Sequence, residues 1–333
     1  MEKTLSAMAA VRGKVMRMPN VVGLGIGYKQ IGGETTSHLA VTVLVSKKVP
    51  VDGLALGEKV PGKVGAVPTD VIEVGDIRLL QRTVNLRPAV PGISIGHYLI
   101  TAGTFGLLVR DAHSEEPLIL SNNHVLANIS DGNDGRCSIG DPVWQPGRYD
   151  GGTSSDQIGT LLRFAPIYRD SMAPTCPVAK SAERLGNRLV HMVNTNYHVY
   201  FRRKADRANL VDAAAARPLS PDLVGDEILE LGRPAGIAEA EIGQEVVKSG
   251  RTSGISRGKV QSLHVTIRVG LGDVGYADFG DQILTTAIAQ PGDSGSAVLT
   301  NDLKVVGLLS AGSEQATIAG RIQRVFEILS VKL

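Results

Sequence analysis

The apolar positions follow two rhythms that change along the chain. Over residues 2–18, Leu5, Met8, Val11, Val15 and Met18 recur at spacings of three and four, which puts one apolar stripe on a helix. Residues 21–28, 38–47 and 70–79 then read as strands, so this region predicts a small α+β unit with one helix against a sheet. Between 81 and 96 the pattern is broken by Arg82, Arg87, Pro88 and Pro91, which predicts a domain junction, with an N-terminal domain over 1–91 and a second over 92–333. Residues 104–110 and 117–122 are apolar runs separated by the polar stretch 111–116, a hairpin that delivers His124 at its end. Residues 165–208 interrupt the strand pattern. Within them, Ala182, Leu185, Leu189, Met192 and Val193 fall at helical spacing and predict an inserted helix over 178–193. A terminal helix over 321–333 would carry Ile322, Val325, Phe326 and Leu329 on one face.

Composition sharpens the class. The 39 glycines, few aromatics and many Val/Ile/Leu runs bounded by Gly, Asn, Asp or Pro favour short strands and tight turns, so the chain is expected to be mainly β. Glycines at 23, 25 and 27 have GxGxG spacing with no clear helix after them, which fits a closely packed strand better than a dinucleotide loop. The formal charge is +2, split into twelve Lys/Arg against seven Asp/Glu in residues 1–88 and 23 against 26 beyond. That is too small to call for a polyanion partner, and no nucleic-acid motif accompanies it. No run approaches the ~18 apolar residues of a membrane span and no leader is evident, so a soluble, cytoplasmic protein without membrane contact is expected. Cys137 and Cys176 fit neither a redox pair nor a zinc site. They read as two thiols or as one disulfide, and no metal or cofactor is expected.

The segment Gln290, Pro291, Gly292, Asp293, Ser294, Gly295, Ser296 carries the strongest chemical signal. A serine hydroxyl becomes a nucleophile only with a base to take its proton and with backbone N–H donors aimed at the oxyanion that forms. Gly292 lets the chain turn so that its N–H and that of Ser294 point into one hole, and Gly295 is expected to leave room for substrate. Of the seven histidines, His38, His97, His113, His191, His198 and His264 have structural readings. His124 differs because a buried-strand run hands it to a loop through Ser121, Asn122 and Asn123.

The run ILSNNHVLA around His124 resembles the histidine segment of chymotrypsin-like serine proteases, HtrA-type members above all, and QPGDSGSAVL resembles their nucleophile loop. VVKSGRTSGISRGKV, residues 246–260, resembles a hairpin of their second barrel, with Val247 and Arg257 where secreted relatives carry a disulfide. The bacterial relatives of the plant NARROW LEAF type are similar as well. The resemblance covers roughly residues 92–333 and implies a double antiparallel β-barrel with the cleft between the barrels. It implies a triad of Ser294, His124 and Asp212, the last embedded in an Asp-x-Ala segment, with Asp156 and Asp281 as reserves. It further implies an oxyanion hole at Gly292 and Ser294, and a primary pocket with Ile288 at its base and Ser310, Ala311 and Gly312 along a wall. With Ile288 at the base the pocket should favour an uncharged side chain, unless Asp281 or Glu314 lies close by.

Relatives pair the aspartate before the nucleophile with a freed N-terminus or an internal cation. Asp293 holds that position here, and Lys248 or Arg251 could serve it. Residues 1–91 would then be a pro-region, an inhibitor or an assembly domain through which copies of the chain associate. With 39 residues after Ser294, no further peptide-binding module is expected. The expected function is a serine endopeptidase acting on protein or peptide through an acyl-enzyme. The alternatives are a catalytically silent binding protein on the same fold, or an esterase using the same triad.

Overall fold

The computed structural model describes residues 1–50, 53–55, 57–75, 82–170, 172, 174, 176–203 and 208–333. The chain divides into two compact units, Met1–Leu80 and Gln81–Leu333. In the first, α1 (Glu2–Val15) is followed by β1 (Val21–Ile31), β2 (Glu34–Val45), β3 (Lys63–Val64) and β4 (Val67–Glu73). They form one sheet in the order β1-β2-β4-β3, antiparallel between β1 and β2 and parallel between β2 and β4. Val15 and Met18 pack on Val43 and Val45, whereas Leu5, at the far end of the predicted stripe, is exposed. The third strand spans 67–73 rather than 70–79, and residues 76–79 lie outside the described residues. Gly23, Gly25 and Gly27 sit in β1 against Leu44 and Thr42, as a closely packed strand requires.

The predicted boundary after residue 91 falls too late. Arg82 already belongs to the second unit, where its buried guanidinium donates to Gly92 O and Ser249 Oγ, and Ser94 N donates to its carbonyl. Leu86 N bonds Gln145 Oε1 and Ala89 N bonds Leu223 O. The prolines and arginines that break the hydrophobic rhythm here mark an irregular segment tied down by hydrogen bonds. A free linker would leave those backbone groups to solvent.

The second unit is built of two barrels, antiparallel but for one short parallel pair in the second. The first comprises β5 (Ser94–His97), β6 (Gly103–Thr104), β7 (Leu107–Asp111), β8 (Pro117–Ser121), β9 (Pro142–Trp144), β10 (Gln157–Phe164) and β11 (Ala214–Pro218), with α2 (Asn123–Leu126) and α3 (Pro177–Val193) in its connections. The chain through β6 and β7 pairs with β5 at one end and β8 at the other, so the ring β5-β9-β10-β11-β8 closes on it. The second barrel comprises β12 (Gly236–Ile237), β13 (Glu245–Gly250), β14 (Gly254–Gly270), β15 (Tyr276–Thr286), β16 (Ala297–Thr300), β17 (Lys304–Gly312) and β18 (Ala316–Arg321). Pairing of β17 with both β16 and β18 closes the ring through β13, β14 and β15. Then α4 (Ile322–Leu329) and β19 (Val331–Lys332) return to the first barrel, where β19 pairs with β7.

The mainly β, double-barrel expectation holds, and the core explains the continuous apolar runs. Leu118 and Leu120 face a core shared with Val247, Leu299 and the α4 residues Ile322, Val325 and Phe326, while Ile119 points into the first barrel with Ile95, Phe105 and Val143. Ala213 and Ala215 divide from Ala214 and Ala216 in the same way, and Val247 from Val246. A strand buried on both faces shows no polar alternation. Each Val, Leu or Ile side chain so removed from water contributes about 1.5–3 kcal/mol, so these strands are firmly seated.

Candidate active site

The turn after β8 is fixed by two amides that no pattern singled out. Asn122 Nδ2 donates to Asp212 O at 2.7 Å. Asn123 Nδ2 donates to Ala165 O at 2.7 Å and Ser130 O at 3.0 Å, and its Oδ1 accepts from Ser130 N. Both are fully buried, and they supply the donors for Asp212 O and Ala165 O, which have no other partner among the described residues. The ring of His124 is thereby held against Asp212, Nδ1 to Oδ2 at 2.5 Å, while the other carboxylate oxygen accepts from His124 N at 3.2 Å. Because a carboxylate only accepts, Nδ1 carries the proton and Nε2 is left with a lone pair. Burial pushes the His124 pKa down, but the charge of Asp212 and its hydrogen bond outweigh burial and hold it above the ordinary value of 6.5.

Ser294 comes from the second barrel. Gly292 has φ +100°, a left-handed turn that a side chain would strain. The same holds for Gly295 at φ +95°, where a Cβ would also meet Ser121 Oγ at 2.1 Å and Thr104 O at 2.4 Å. This corrects the expectation that Gly295 clears space for substrate: the space is filled by the first barrel. Thr104 adds two direct bonds, its N–H to Ser294 O at 2.8 Å and its hydroxyl to Gly292 O at 2.9 Å. Among the described residues, the N–H groups of Gly292 and Ser294 find no acceptor within the protein, as a ready oxyanion hole requires.

Beneath the loop, Lys248 Nζ reaches Asp293 Oδ2 at 2.8 Å, and both side chains are 0% exposed. Asp293 also accepts from Thr252 N at 2.8 Å, Ser253 N at 3.1 Å, Gln290 N at 2.9 Å and the Ser253 hydroxyl at 2.5 Å. Burial would raise its pKa, and Lys248, Ser253 and the Gln290 N–H together reverse that and hold it low. For Lys248 burial wins, so its pKa is lowered despite the partner. Of the two expected cations, Lys248 serves Asp293, while Arg251 pairs with Asp150, Nε to Oδ2 at 2.8 Å. Val247 and Arg257 are cross-strand neighbours in β13 and β14. Cys137 and Cys176 are free thiols.

His124, Asp212 and Ser294 line one cleft of about 1070 Å³, together with Ile288, Ser310, Ala311 and Gly312, the residues expected around a primary pocket. Besides Asp212, Glu314 is the carboxylate lining it. The reserve acids lie elsewhere: Asp156 caps a surface turn through Thr153, and Asp281 holds His264 at 2.7 Å and Arg321 at 3.2 Å. The Ser294 hydroxyl donates to Ser310 O at 3.4 Å, and no hydrogen bond joins it to His124 among the described residues.

Neither a family model nor a curated protein matches the chain. Its structure is similar to bacterial chymotrypsin-like serine proteases. Protease A of Thermobifida fusca has 19% identity, with 73% of this chain and 97% of that one covered and a TM-score of 0.46. A Nocardiopsis protease has 17% identity over 73% and 97% at 0.45, and the chymotrypsin of Cellulomonas bogoriensis 16% over 74% and 97% at 0.43.

Proposed function

We propose that this protein is a serine endopeptidase that hydrolyses peptide bonds through an acyl-enzyme on Ser294. The observation that carries the reading is the meeting, in one cleft, of an oriented His124–Asp212 pair, a serine on a glycine-bounded loop and two unpaired backbone N–H donors. The Ser294 hydroxyl turns from Ser310 O toward His124 Nε2, which takes its proton as Oγ attacks the scissile carbonyl. The oxyanion is received by the N–H groups of Gly292 and Ser294, and His124 returns the proton to the leaving amine. Asp212 keeps the ring in the tautomer this needs and stabilises the imidazolium. Water then attacks the acyl group by the same path and frees Ser294.

We place Ile288, which lines the cleft and offers no charge to a substrate Lys or Arg, at the base of the primary pocket, so that small to medium apolar side chains are preferred before the scissile bond; Glu314, which lines the same cleft, is the carboxylate that would favour a basic side chain instead. The rest position of the Ser294 hydroxyl on Ser310 favours a second reading, a catalytically silent protein on the same fold. Labelling by peptidyl phosphonates separates the two. A phosphonate with an apolar side chain should label the wild type and leave Ser294→Ala unmodified; no labelling of the wild type by any phosphonate would leave the silent reading standing. Faster labelling by a lysine-like phosphonate than by the apolar one would overturn the pocket assignment alone.

A further inference from the structure

The helix α3 leaves its apolar face uncovered. Val178, Ala182, Leu185, Leu189 and Met192 repeat at spacings of four and three, and all five are exposed, with Val178 at 75%, Leu185 at 60%, Leu189 at 54% and Met192 at 76%. The opposite side is occupied. Asn187 exchanges two hydrogen bonds with the Val199 backbone at 2.8 and 2.9 Å, Gly186 abuts Val199, and Glu183 accepts from Phe201 N at 3.2 Å. The helix is therefore held by its polar side and presents its greasy side to solvent, the reverse of a helix that serves the core.

Next to the stripe runs a cationic ridge. Lys180, Arg184 and Arg188 recur every four residues and form no ion pair among the described residues. Arg184, Asn187, Arg188, His191 and Met192 line a shallow open depression of about 540 Å³. Residues 177–203 hold five Lys/Arg against the single acid Glu183, and Tyr197, Tyr200 and Phe201 are exposed in the returning segment. A second copy fits this face poorly. Self-pairing would bring together two cationic ridges, and the one carboxylate available is already engaged on the packed side.

We propose that α3 docks on an anionic lipid bilayer, lying in the interface with Val178, Leu185, Leu189 and Met192 in the acyl region and Arg184 and Arg188 on lipid phosphates. An exposed apolar stripe, a basic flank and nearby aromatic side chains are the composition of an interfacial helix. At 17 residues α3 is about 25 Å long, and no described helix is long and apolar enough to cross a membrane, so the contact is peripheral. This departs from the sequence-based expectation of no membrane contact, since periodicity reveals a stripe but not whether anything covers it. It stands independently of the reading of the cleft.

Cosedimentation of the full chain with vesicles tests it. The protein should pellet with phosphatidylcholine vesicles containing 30% phosphatidylglycerol and stay in solution with phosphatidylcholine alone. Leu185→Asp with Leu189→Asp should lower the partition coefficient at least about tenfold, and Arg184→Gln with Arg188→Gln by about tenfold or more, with thermal melts unchanged because these side chains are exposed. Raising the salt should release the wild type. Equal pelleting of the wild type and the leucine variant, or of the two vesicle types, would overturn the proposal. So would a concentration-dependent dimer, dispersed by the leucine variant, in a protein that ignores vesicles, which would give the face to a second copy.

Discussion

The two barrels bring their halves of the cleft to the same place by different physical means. The first fixes His124 and Asp212 with neutral amides, Asn122 and Asn123, that tie side chains to backbone carbonyls far along the chain. The second fixes the Ser294 loop over a buried ion pair, Lys248 with Asp293, whose remaining lone pairs are met by backbone N–H groups and a serine. A lost neutral hydrogen bond leaves a local vacancy. A lost partner in a dry ion pair leaves a charge that must be neutralised or hydrated, so the second half should be the more brittle.

The largest effect expected is on chemistry at the first half. Asp212→Asn should lower kcat/KM by up to ~10⁴-fold, about 5.5 kcal/mol, through loss of the tautomer that leaves Nε2 basic. In the wild type, activity should rise with pH through a pKa above 6.5, since Asp212 raises that of His124 and only the neutral ring accepts a proton. The asparagine variant should shift this limb to lower pH. Steady-state kinetics across pH measures both, and near-normal turnover would move the third role to another acid.

Next in size, Lys248→Met should cost about 3–5 kcal/mol in urea unfolding and abolish phosphonate labelling. The acid side of the stability curve carries the sign. The folded Asp293 pKa lies below its ordinary value, so its contribution is present above the unfolded pKa and is lost as pH falls through the folded one. The variant lacks the cation that depresses this pKa, so it should lose less stability than the wild type on acidification, and the cost of the substitution should shrink as pH falls. A cost under about 1 kcal/mol would show that the pair is not what seats the loop.

Smallest is Asn123→Ala, with an expected cost of about 1–3 kcal/mol for the Ala165 carbonyl left without a donor, since Ser130 O keeps the N–H of Ile167. If it proves as costly as Lys248→Met, the contrast between the halves collapses. A double variant with costs that add within about 0.5 kcal/mol would show that the two halves are seated separately.

The turn around Ser294 was legible because its demands fall on consecutive residues, Gly292 to Gly295, and the strands were legible because burial on both faces erases polar positions. Asp212 was readable as an acid stranded among alanines and valine. The roles of Asn122 and Asn123 were not, since their partners are carbonyls at Asp212, Ser130 and Ala165 that no local pattern connects. The junction was misplaced because prolines break rhythm in a tied-down segment as they do in a linker. The helix at 177–193 was legible as a helix, but its uncovered face was not, because a stripe has the same period whether it is packed or bare.

The seat of Gly295 has a consequence for how such a molecule can be inherited or rebuilt. Ser121 and Thr104 of one barrel fill the space where a side chain at Gly295 of the other would stand. A chimera that takes one barrel from a relative must therefore bring matching residues at these three positions, or the graft is blocked at its centre. However separable the barrels are as shapes, they are constrained to change together.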